Sequence, residues 1–389
     1  MAAIVTASRI AGVPERTDVG AIERELHRLW ASLDGEAEGS GGTAAVAQVT
    51  RLCTLTLLAV VRDGRAADVA AIAEQIGARY PSRSIILDVS PRGDGDLAVE
   101  AALHCHSADI PGRPAVCCEQ ITVTASGRAL SRVPGLVLPL LVPDMPVYVW
   151  WPNNPPAASD PEAELLRRLA EVADVVVVDS SAMDRPVAGL AAAAAIVAPL
   201  SGGMRDLTWG RLTPWRDLIV QCFDPPPMRQ ALERLDRIHI RTDPRPSSDP
   251  AAADDPIGGL LLGGWLAARL GWEPAGPARR DGKVLRVLFW REGGGLEMAL
   301  EGGAGPVTAF ECAAGGAEPC AVSMTRQPGE AAAVTIETRL GRGRPRSQAA
   351  ALLVPNDTAL VAAELELSGV DHVLREAIDV VLRVVPVEP

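Results

Sequence analysis

Three segments of the chain combine residue types that could do chemistry, and the first carries imidazoles and thiols: His104, Cys105, His106, Cys117 and Cys118. These residues lie in two stretches, 98–106 and 116–124, that have the composition of strands. On a strand, neighbouring side chains point to opposite faces. A zinc ion needs its ligands to converge within about 2.0–2.3 Å. Because these ligands alternate between faces, we expect buried free thiols and surface imidazoles, and no metal. A cross-strand disulfide between Cys105 and Cys117, acting as a redox switch, is the alternative.

The second segment lies at the end of a predicted parallel strand. Asp179 ends the predicted buried strand DVVVVD (174–179) and Ser180 follows it, and open α/β sheets place ligands at this edge. The loop 201–206 contains two glycines and Arg205, which could hold a phosphate. The ordinary alternatives are that Ser180 or Ser181 caps the following turn or Asp184 caps the next helix, and that the loop is only a flexible connection. Asp179, Ser180 and Arg205 are the candidate ligand-binding residues.

The third segment is rich in tryptophan and arginine. The chain has eight tryptophans but only three phenylalanines and two tyrosines. Arginine can stack on tryptophan, and such pairs recur at the centres of protein interfaces. The candidate partner-binding residues are Trp150, Trp151, Trp209, Arg211 and Arg216. The alternative is that the tryptophans are core residues and that the arginines pair with Asp206 and Asp217 on the surface; for Trp215 we expect the core.

Catalytic motifs are missing from the sequence. It contains no phosphate-binding G-x-x-x-x-G-K-[ST], and its one lysine, Lys283, lies in no such context. It also lacks a G-x-G-x-x-G after a strand, H-E-x-x-H, G-x-S-x-G and paired C-x-x-C. We therefore expect a protein that is not an enzyme and carries no metal or cofactor.

Composition sets the class of partner and the compartment. Of 389 residues, 37 are Lys or Arg and 49 are Asp or Glu, so the net charge is −12. Such a field repels phosphate backbones and anionic lipids, so we expect no nucleic-acid and no membrane partner. The apolar stretch 256–268 is well short of the ~20 residues that cross a bilayer. Without a basic start and apolar run at the N-terminus, we expect a cytoplasmic protein.

Apolar periodicity predicts a mixed α/β (α+β) fold. Helical spacing over 21–33 precedes a flexible link at 34–43. Apolar runs at 52–61 and 84–89 flank a helix, and those at 146–151 and 174–179 flank another, so we expect an N-terminal and a central βαβ unit in a mixed sheet with flanking helices. The runs 98–106 and 116–124 should be antiparallel strands. One helix is expected over 207–223, followed by a strand at 237–241.

The clearest predicted boundary is the stretch 243–256, which has four prolines and four aspartates. After it we expect a helix at 257–271, an antiparallel meander with glycine turns, and two closing helices near 357–367 and 371–384. The predicted organisation is an N-terminal helix and link over 1–45, an α/β domain over 46–242, the linker, and an α+β domain over 257–389.

Several unusual strings occur together in the sequence. These are YPSRSIIL (80–87), CEQI (118–121), LVLPLLVPDMPVYVWW (136–151), DSS (179–181), DLTWGRLTPWRDLIVQCFDPP (206–226) and LLLGGWLAARLGW (260–272). In this order they resemble the glucose-6-phosphate dehydrogenase assembly protein (OpcA) family over roughly residues 20–385. The resemblance implies a non-catalytic protein that binds glucose-6-phosphate dehydrogenase, favours its active oligomer and supports the oxidative pentose phosphate pathway, with redox and metabolite control. An enzyme that binds a sugar phosphate or nucleotide at the carboxyl edge of the sheet is the alternative.

Overall fold

The structure is a computed structural model. It describes residues 6–39, 49–62, 64–107, 115–156, 160–198, 202–245, 255–327, 330–367 and 369–387. Within these residues it contains eleven α-helices and two mixed nine-stranded sheets. The predicted mixed α/β fold is confirmed.

The first sheet holds the strands from the amino-terminal half of the chain. They are β1 (Thr6–Gly12), β2 (Val49–Arg51), β3 (Leu55–Arg62), β4 (Ser82–Ser90), β5 (Leu97–Ser107), β6 (Ala115–Ser126), β7 (Val147–Trp151), β8 (Val175–Val178) and β9 (Gly203–Asp206). Their order is β1-β5-β6-β4-β3-β7-β8-β9, and β2 pairs with β6. Strands β6, β4, β3, β7 and β8 are parallel, whereas β5 is antiparallel to both β1 and β6.

This arrangement follows from the apolar patterns. Strands β3, β7 and β8 are buried on both faces, as parallel strands between helix layers must be. Both predicted βαβ units and the antiparallel strands are therefore confirmed. The outer strand β1 was not predicted, because Thr6–Gly12 contains no apolar alternation that distinguishes it from a loop.

The helices cover residues along the whole chain. They are α1 (Val19–Gly39), α2 (Ala66–Gly77), α3 (Val133–Val137), α4 (Pro161–Val172), α5 (Pro186–Val197), α6 (Leu207–Arg211), α7 (Thr213–Phe223), α8 (Pro226–Leu232), α9 (Ile257–Leu270), α10 (Asp357–Glu364) and α11 (His372–Val384). Two expectations are corrected. The helix over 207–223 is two helices, α6 and α7, which meet at Leu212 just before Pro214. The link predicted at 34–43 is helical through Gly39, and its remainder lies outside the described residues.

The second sheet contains the remaining strands. They are β10 (Arg237–Thr242), β11 (Glu273–Pro274), β12 (Arg279–Asp281), β13 (Val284–Arg291), β14 (Gly294–Glu301), β15 (Val307–Ala314), β16 (Cys320–Gln327), β17 (Glu330–Leu340) and β18 (Arg346–Ala351). Their order is β11-β13-β14-β10-β15-β16-β17-β18, and β12 pairs with β13. The meander is interrupted at its centre by β10, which is parallel to β14 and antiparallel to β15.

Helix α9 lies close to one face of this sheet and to α11 because two consecutive glycines leave room. A Cβ on Gly263 would come within 2.3 Å of the Met298 sulfur on β14, and one on Gly264 within 2.6 Å of the Ala377 carbonyl oxygen on α11. The helix ends at Gly271, whose φ of +66° is the left-handed conformation that glycine adopts without strain. The glycines therefore set both the packing distance and the end of α9.

Contacts divide the chain into two compact units. The first comprises residues 1–178, 196–204 and 357–370, and the second comprises 179–195, 205–356 and 371–389. This division differs from the predicted domains. Strand β10, assigned from sequence to the α/β domain ending at 242, belongs to the second sheet, since its hydrogen-bond partners come from later in the chain. Of the predicted linker 243–256, residues 246–254 lie outside the described part.

Candidate functional site

A buried polar cluster forms in the second unit, just after strand β8. The turn Ser180–Ala182 follows Asp179, and Asp206 occupies the N-cap of α6. Asp206 caps the helix because its carboxylate accepts a hydrogen bond from the Thr208 backbone N–H at 3.0 Å. The cluster thus joins the segment after β8 to the start of α6.

Asp206 is completely buried and is surrounded by donors. One carboxylate oxygen accepts from the Ser180 backbone N–H at 2.9 Å, and the other lies 2.6 Å from the Ser180 hydroxyl. Burial raises the pKa of Asp206 to about 6, although the hydrogen bonds from Ser180 and Thr208 act in the opposite direction; the nearby Asp179 charge adds to the rise. Asp206 therefore takes up a proton at a pH where an exposed aspartate stays ionised.

Asp179 is held by a bidentate ion pair. Arg211 donates from Nη1 to Oδ1 and from Nη2 to Oδ2, both at 2.8 Å. Burial alone would raise the pKa of Asp179, but the hydrogen bonds and charge of Arg211, with smaller contributions from Ser181 and Thr208, outweigh it and lower the pKa. Asp179 thus remains an anion beside a carboxyl group that is readily protonated.

Two hydroxyls connect the carboxylates. The Ser180 hydroxyl lies 2.9 Å from Thr208 Oγ1, which in turn lies 3.3 Å from Asp179 Oδ1. Each hydroxyl has one proton, so Ser180 can donate either to ionised Asp206 or to Thr208, but not to both at once. When Asp206 is protonated, its carboxyl hydrogen can be donated to Ser180 Oγ. The hydroxyl hydrogen of Ser180 is then free to be donated to Thr208. The chain of groups can therefore reorient its hydrogen bonds with the charge of Asp206.

Arg245 completes the cluster from the other side. Its guanidinium donates to the backbone carbonyl oxygens of Ser181 and Met183, the second at 2.6 Å. Sequence reasoning identified Asp179 and Ser180 but missed Arg245 and Thr208. The D-L-T order at 206–208 is a helix-capping signal that could have located Thr208, whereas Arg245 comes from a distant proline-rich segment with no local signal.

Arg205, the proposed phosphate-binding residue, does not reach the surface. Its residue is only 3% exposed, so the guanidinium is not available to a ligand from solvent in this conformation. Gly202 and Gly203 lead into β9, and Ser201 of the same predicted loop lies outside the described residues. The structure therefore brings Asp179 and Ser180 together with Arg211, and does not present Arg205 as an open anion site.

The predicted partner-binding tryptophans are core residues. Trp150 and Trp151 on β7 are 3% and 1% exposed, and Trp209 on α6 is 5% exposed. Trp215 is buried as expected. This corrects the expectation that indole rings form a surface: β7 is a central strand with both faces covered, so each neighbouring ring enters a core layer.

The arginines of this segment bind within the second unit. Arg211 pairs with Asp179 rather than with Asp206 or Asp217. Arg216 stacks over the Trp209 ring, 3.4 Å from its centroid. The predicted stacking of arginine on tryptophan is therefore present, but as an intramolecular contact.

The cysteine and histidine segment lies in the first unit on strands β5 and β6. Cys105 and Cys117 stand directly opposite each other and form a disulfide, with Cα atoms 4.0 Å apart. The expectation of two free thiols is corrected, because the register of the antiparallel pair brings the two sulfurs together. The role of this pair as a redox switch stays a prediction.

The two histidines are also corrected, from surface to interior. His104 and His106 are 4% and 8% exposed, on the face covered by α2, where His104 Nδ1 lies 3.4 Å from Glu74 Oε2. Burial is the largest influence and lowers the pKa of both imidazoles, which disfavours their protonated forms. Burial raises the pKa of the Cys118 thiol, opposite His104, to about 11. Within the described residues no group of three or more His, Cys, Asp or Glu side chains could hold a metal ion.

Comparison with known proteins decides the family. A model of the glucose-6-phosphate dehydrogenase subunit N-terminal domain matches residues 73–195, and one of the corresponding C-terminal domain matches 202–378. The chain belongs to the OpcA family of glucose-6-phosphate dehydrogenase assembly proteins. This bears out the resemblance seen in the tryptophan-rich strings.

Curated OpcA relatives match part of the chain. An OxPP cycle protein OpcA of Synechocystis sp. is 33% identical over 222 residues, which are 56% of this chain and 43% of that protein. The OpcA of Nostoc punctiforme is 32% identical over 223 residues, 56% of this chain and 44% of that protein. The matched region thus spans less than half the length of these relatives.

Solved structures give more distant matches. The transcriptional regulator Gal80p of Kluyveromyces lactis has a TM-score of 0.46 at 9% identity, covering 85% of this chain and 91% of that one. The UDP-N-acetylglucosamine 3-dehydrogenase GnnA of Acidithiobacillus ferrooxidans has a TM-score of 0.42 at 10% identity, covering 86% and 98%.

Among the described residues of the OpcA-family chain, no helix is both long and apolar enough to span a membrane.

Proposed function

We propose that this OpcA-family chain is a non-catalytic cytoplasmic protein that binds glucose-6-phosphate dehydrogenase, favours its active oligomer and thereby supports the oxidative pentose phosphate pathway. The observation that carries the proposal is the match of two domain families named for that dehydrogenase to residues 73–195 and 202–378. The relatives named OxPP cycle protein support the same pathway.

The polar cluster supports a structural role in preference to catalysis. Arg211 occupies both oxygens of Asp179, and Ser180 approaches both oxygens of Asp206. A general acid or base must lie within hydrogen-bond reach of the proton that it transfers, and these carboxylates direct their oxygens to groups of the chain itself. The alternative of an enzyme acting at this edge of the sheet has less support, since its proposed anion-binding residue, Arg205, is buried.

Activation requires differential binding. A protein that contacts the active oligomer of an enzyme more tightly than its inactive form shifts the equilibrium by the difference in binding free energy, and a tenfold shift needs about 1.4 kcal/mol. A small surface suffices for such a difference. The buried indoles cannot supply it, so the contact has to involve exposed groups.

The exposed side of α7 is the part of the tryptophan and arginine segment that a partner can reach. Val220 is 56% exposed on this helix, which also carries Arg216. We therefore place the dehydrogenase contact on this side of α7. Leu353, which is 70% exposed in the loop after β18, offers a matched apolar position elsewhere in the same unit.

The test mixes the purified chain with purified dehydrogenase and measures the mass of the complex and the KM for glucose 6-phosphate. We expect co-elution, a larger dehydrogenase oligomer and a lower KM. Val220→Asp should weaken these effects, whereas Leu353→Asp should not. Absence of both co-elution and kinetic change would refute the function, and equal effects of the two variants would refute the α7 contact. Stabilisation of the isolated chain by a sugar phosphate, with turnover, would favour the enzyme alternative.

A further inference from the structure

One face of the second sheet carries a concave surface. Helix α9 packs against β10 and β14 on the other face. On the open face, side chains alternate outward along each strand, as the exposure of Arg286, Leu288 and Trp290 on β13 demonstrates. The open face has a basin of about 590 Å³. We call this surface the open sheet face.

Small side chains create the basin. Ala299 on β14, Ala313 on β15 and Ala321 and Ser323 on β16 line its interior, where longer side chains would fill the space. These positions are neighbours across the ladder, since Ala313 is opposite Ala321. The floor of the basin is therefore a patch of short side chains at the centre of the sheet.

A protruding indole lies on the same face. Trp290 is 63% exposed, and it stands opposite Gly295 on β14, which has no side chain to cover it. Leu288, two residues earlier on the same side of β13, is 52% exposed. Exposed aromatic and aliphatic groups beside each other are what a protein interface buries at its centre. The open sheet face thus offers both a projection and a recess.

The charges on this face are balanced, unlike those of the whole chain. On the six strands β10 and β13 to β17, four arginines and four glutamates have this orientation: Arg237, Arg241, Arg286, Arg339, Glu297, Glu301, Glu311 and Glu337. The chain as a whole has a net charge of −12, so most surfaces of two copies repel each other. A face with equal numbers of both signs can meet its own copy without that repulsion.

The size of the face also suits a dimer. The face consists of six strands, β13 to β17 with β10, most of them eight residues long. With about 4.8 Å between strands and about 3.3 Å per residue, its area is on the order of 750 Å². Stable interfaces bury about 800 Å² per partner. One open sheet face is therefore large enough to form a complete interface.

We propose that two copies of this chain associate through their open sheet faces, with Trp290 of each copy entering the basin of the other. In a two-fold symmetric interface, a group on one copy contacts a second group on the other, and the reverse contact is made at the same time. Because one face carries both the projecting Trp290 and the basin, the same contact forms twice in such a dimer, once in each direction. This proposal does not depend on the proposed binding of the dehydrogenase.

The test is sedimentation velocity of the full chain at concentrations up to roughly 100 µM, in the absence of any partner. We expect a concentration-dependent species of twice the monomer mass. Trp290→Glu removes the projection and Ala321→Glu fills the recess, so each should weaken association at least tenfold, or about 1.4 kcal/mol. Leu353→Glu, at a similarly exposed apolar position in the loop after β18 and outside the six strands of the face, should leave it unchanged.

Folding is checked separately for each variant by far-ultraviolet circular dichroism and thermal unfolding. Because Trp290 is mostly exposed, Trp290→Glu should retain the wild-type spectrum. A wild-type chain that stays monomeric at every concentration overturns the proposal, as does a dimer that neither face variant weakens. A monomeric chain whose dehydrogenase binding is lost in Trp290→Glu would assign the face to the dehydrogenase instead of a second copy.

Discussion

The ion pair between Arg211 and Asp179 is predicted to stabilise the folded chain, so its removal should lower the free energy of unfolding. Arg211→Ala leaves the Asp179 carboxylate, which belongs to a residue that is 8% exposed, with hydrogen bonds from the Ser181 and Thr208 hydroxyls in place of the ion pair. Deleting one partner of a buried pair costs about 3–5 kcal/mol. Because the Arg211 side chain is 24% exposed, water can partly replace it, so we expect a loss of about 2–4 kcal/mol.

The assay is urea unfolding at pH 7, with a double-mutant cycle. Asp179→Asn alone should cost less than Arg211→Ala because it leaves no unpaired buried anion, and the double variant should cost less than the sum of the two. Arg167 is the control: two of its nitrogens also contact Glu164, but both side chains are about half exposed, so Arg167→Ala should cost much less than Arg211→Ala.

The refuting result is a loss below about 0.5 kcal/mol for Arg211→Ala, no larger than that of the control. Such a result, combined with weaker binding of the dehydrogenase, would restore Arg211 as a partner contact. It would also mean that the buried geometry of Asp179 does not govern the stability of the second unit.

Three further predictions concern single features. Burial raises the pKa of Asp206 to about 6, from 3.8 in the unfolded chain. Between about pH 4 and 6 the folded state therefore holds a proton that the unfolded state has lost, and the free energy of unfolding falls as the pH rises. In urea titrations, the stability of Asp206→Asn relative to wild type should increase over that pH range. Thiol titration of the denatured, oxidised chain should give five free cysteines, and seven after reduction, while opening the Cys105–Cys117 bond, with 12 residues of separation, should cost about 3 kcal/mol; seven thiols before reduction would contradict the disulfide. Trp151→Ala should destabilise the chain by about 3–5 kcal/mol in thermal unfolding, since this side chain is fully buried, and unchanged stability would contradict its place in the core.

Much of the first sheet could be predicted because its signals are local. A strand such as Leu55–Arg62 is apolar at every position except Thr56 and the last, and a helix such as Pro161–Val172 has a proline at its start and apolar residues at helical spacing. Burial of apolar surface stabilises elements with these patterns wherever they pack, so the helices and strands can be predicted without knowledge of their neighbours. Strand β1 lacked such a pattern and was missed.

The candidate site could be located only in part. The position of Asp179 and Ser180 after a buried strand was visible in the sequence, but the partner of Asp179 lies 32 residues later, and Arg245 reaches the same turn from 64 residues beyond Ser181. Composition suggested exposed indoles, whereas the central position of β7 buries both Trp150 and Trp151. Whether a side chain is buried depends on which strands flank it.

The amino-acid sequence alone determined the acidic balance, predicted most of the helices and strands, and contained the strings that resemble the family, because each is a property of local order or composition. Tertiary structure decided the pairing of Cys105 with Cys117, the insertion of β10 between β14 and β15, and the exposure of Trp290 in place of the other indoles. These depend on register and on contacts between segments far apart in the chain, whose free energies exist only once the chain has folded.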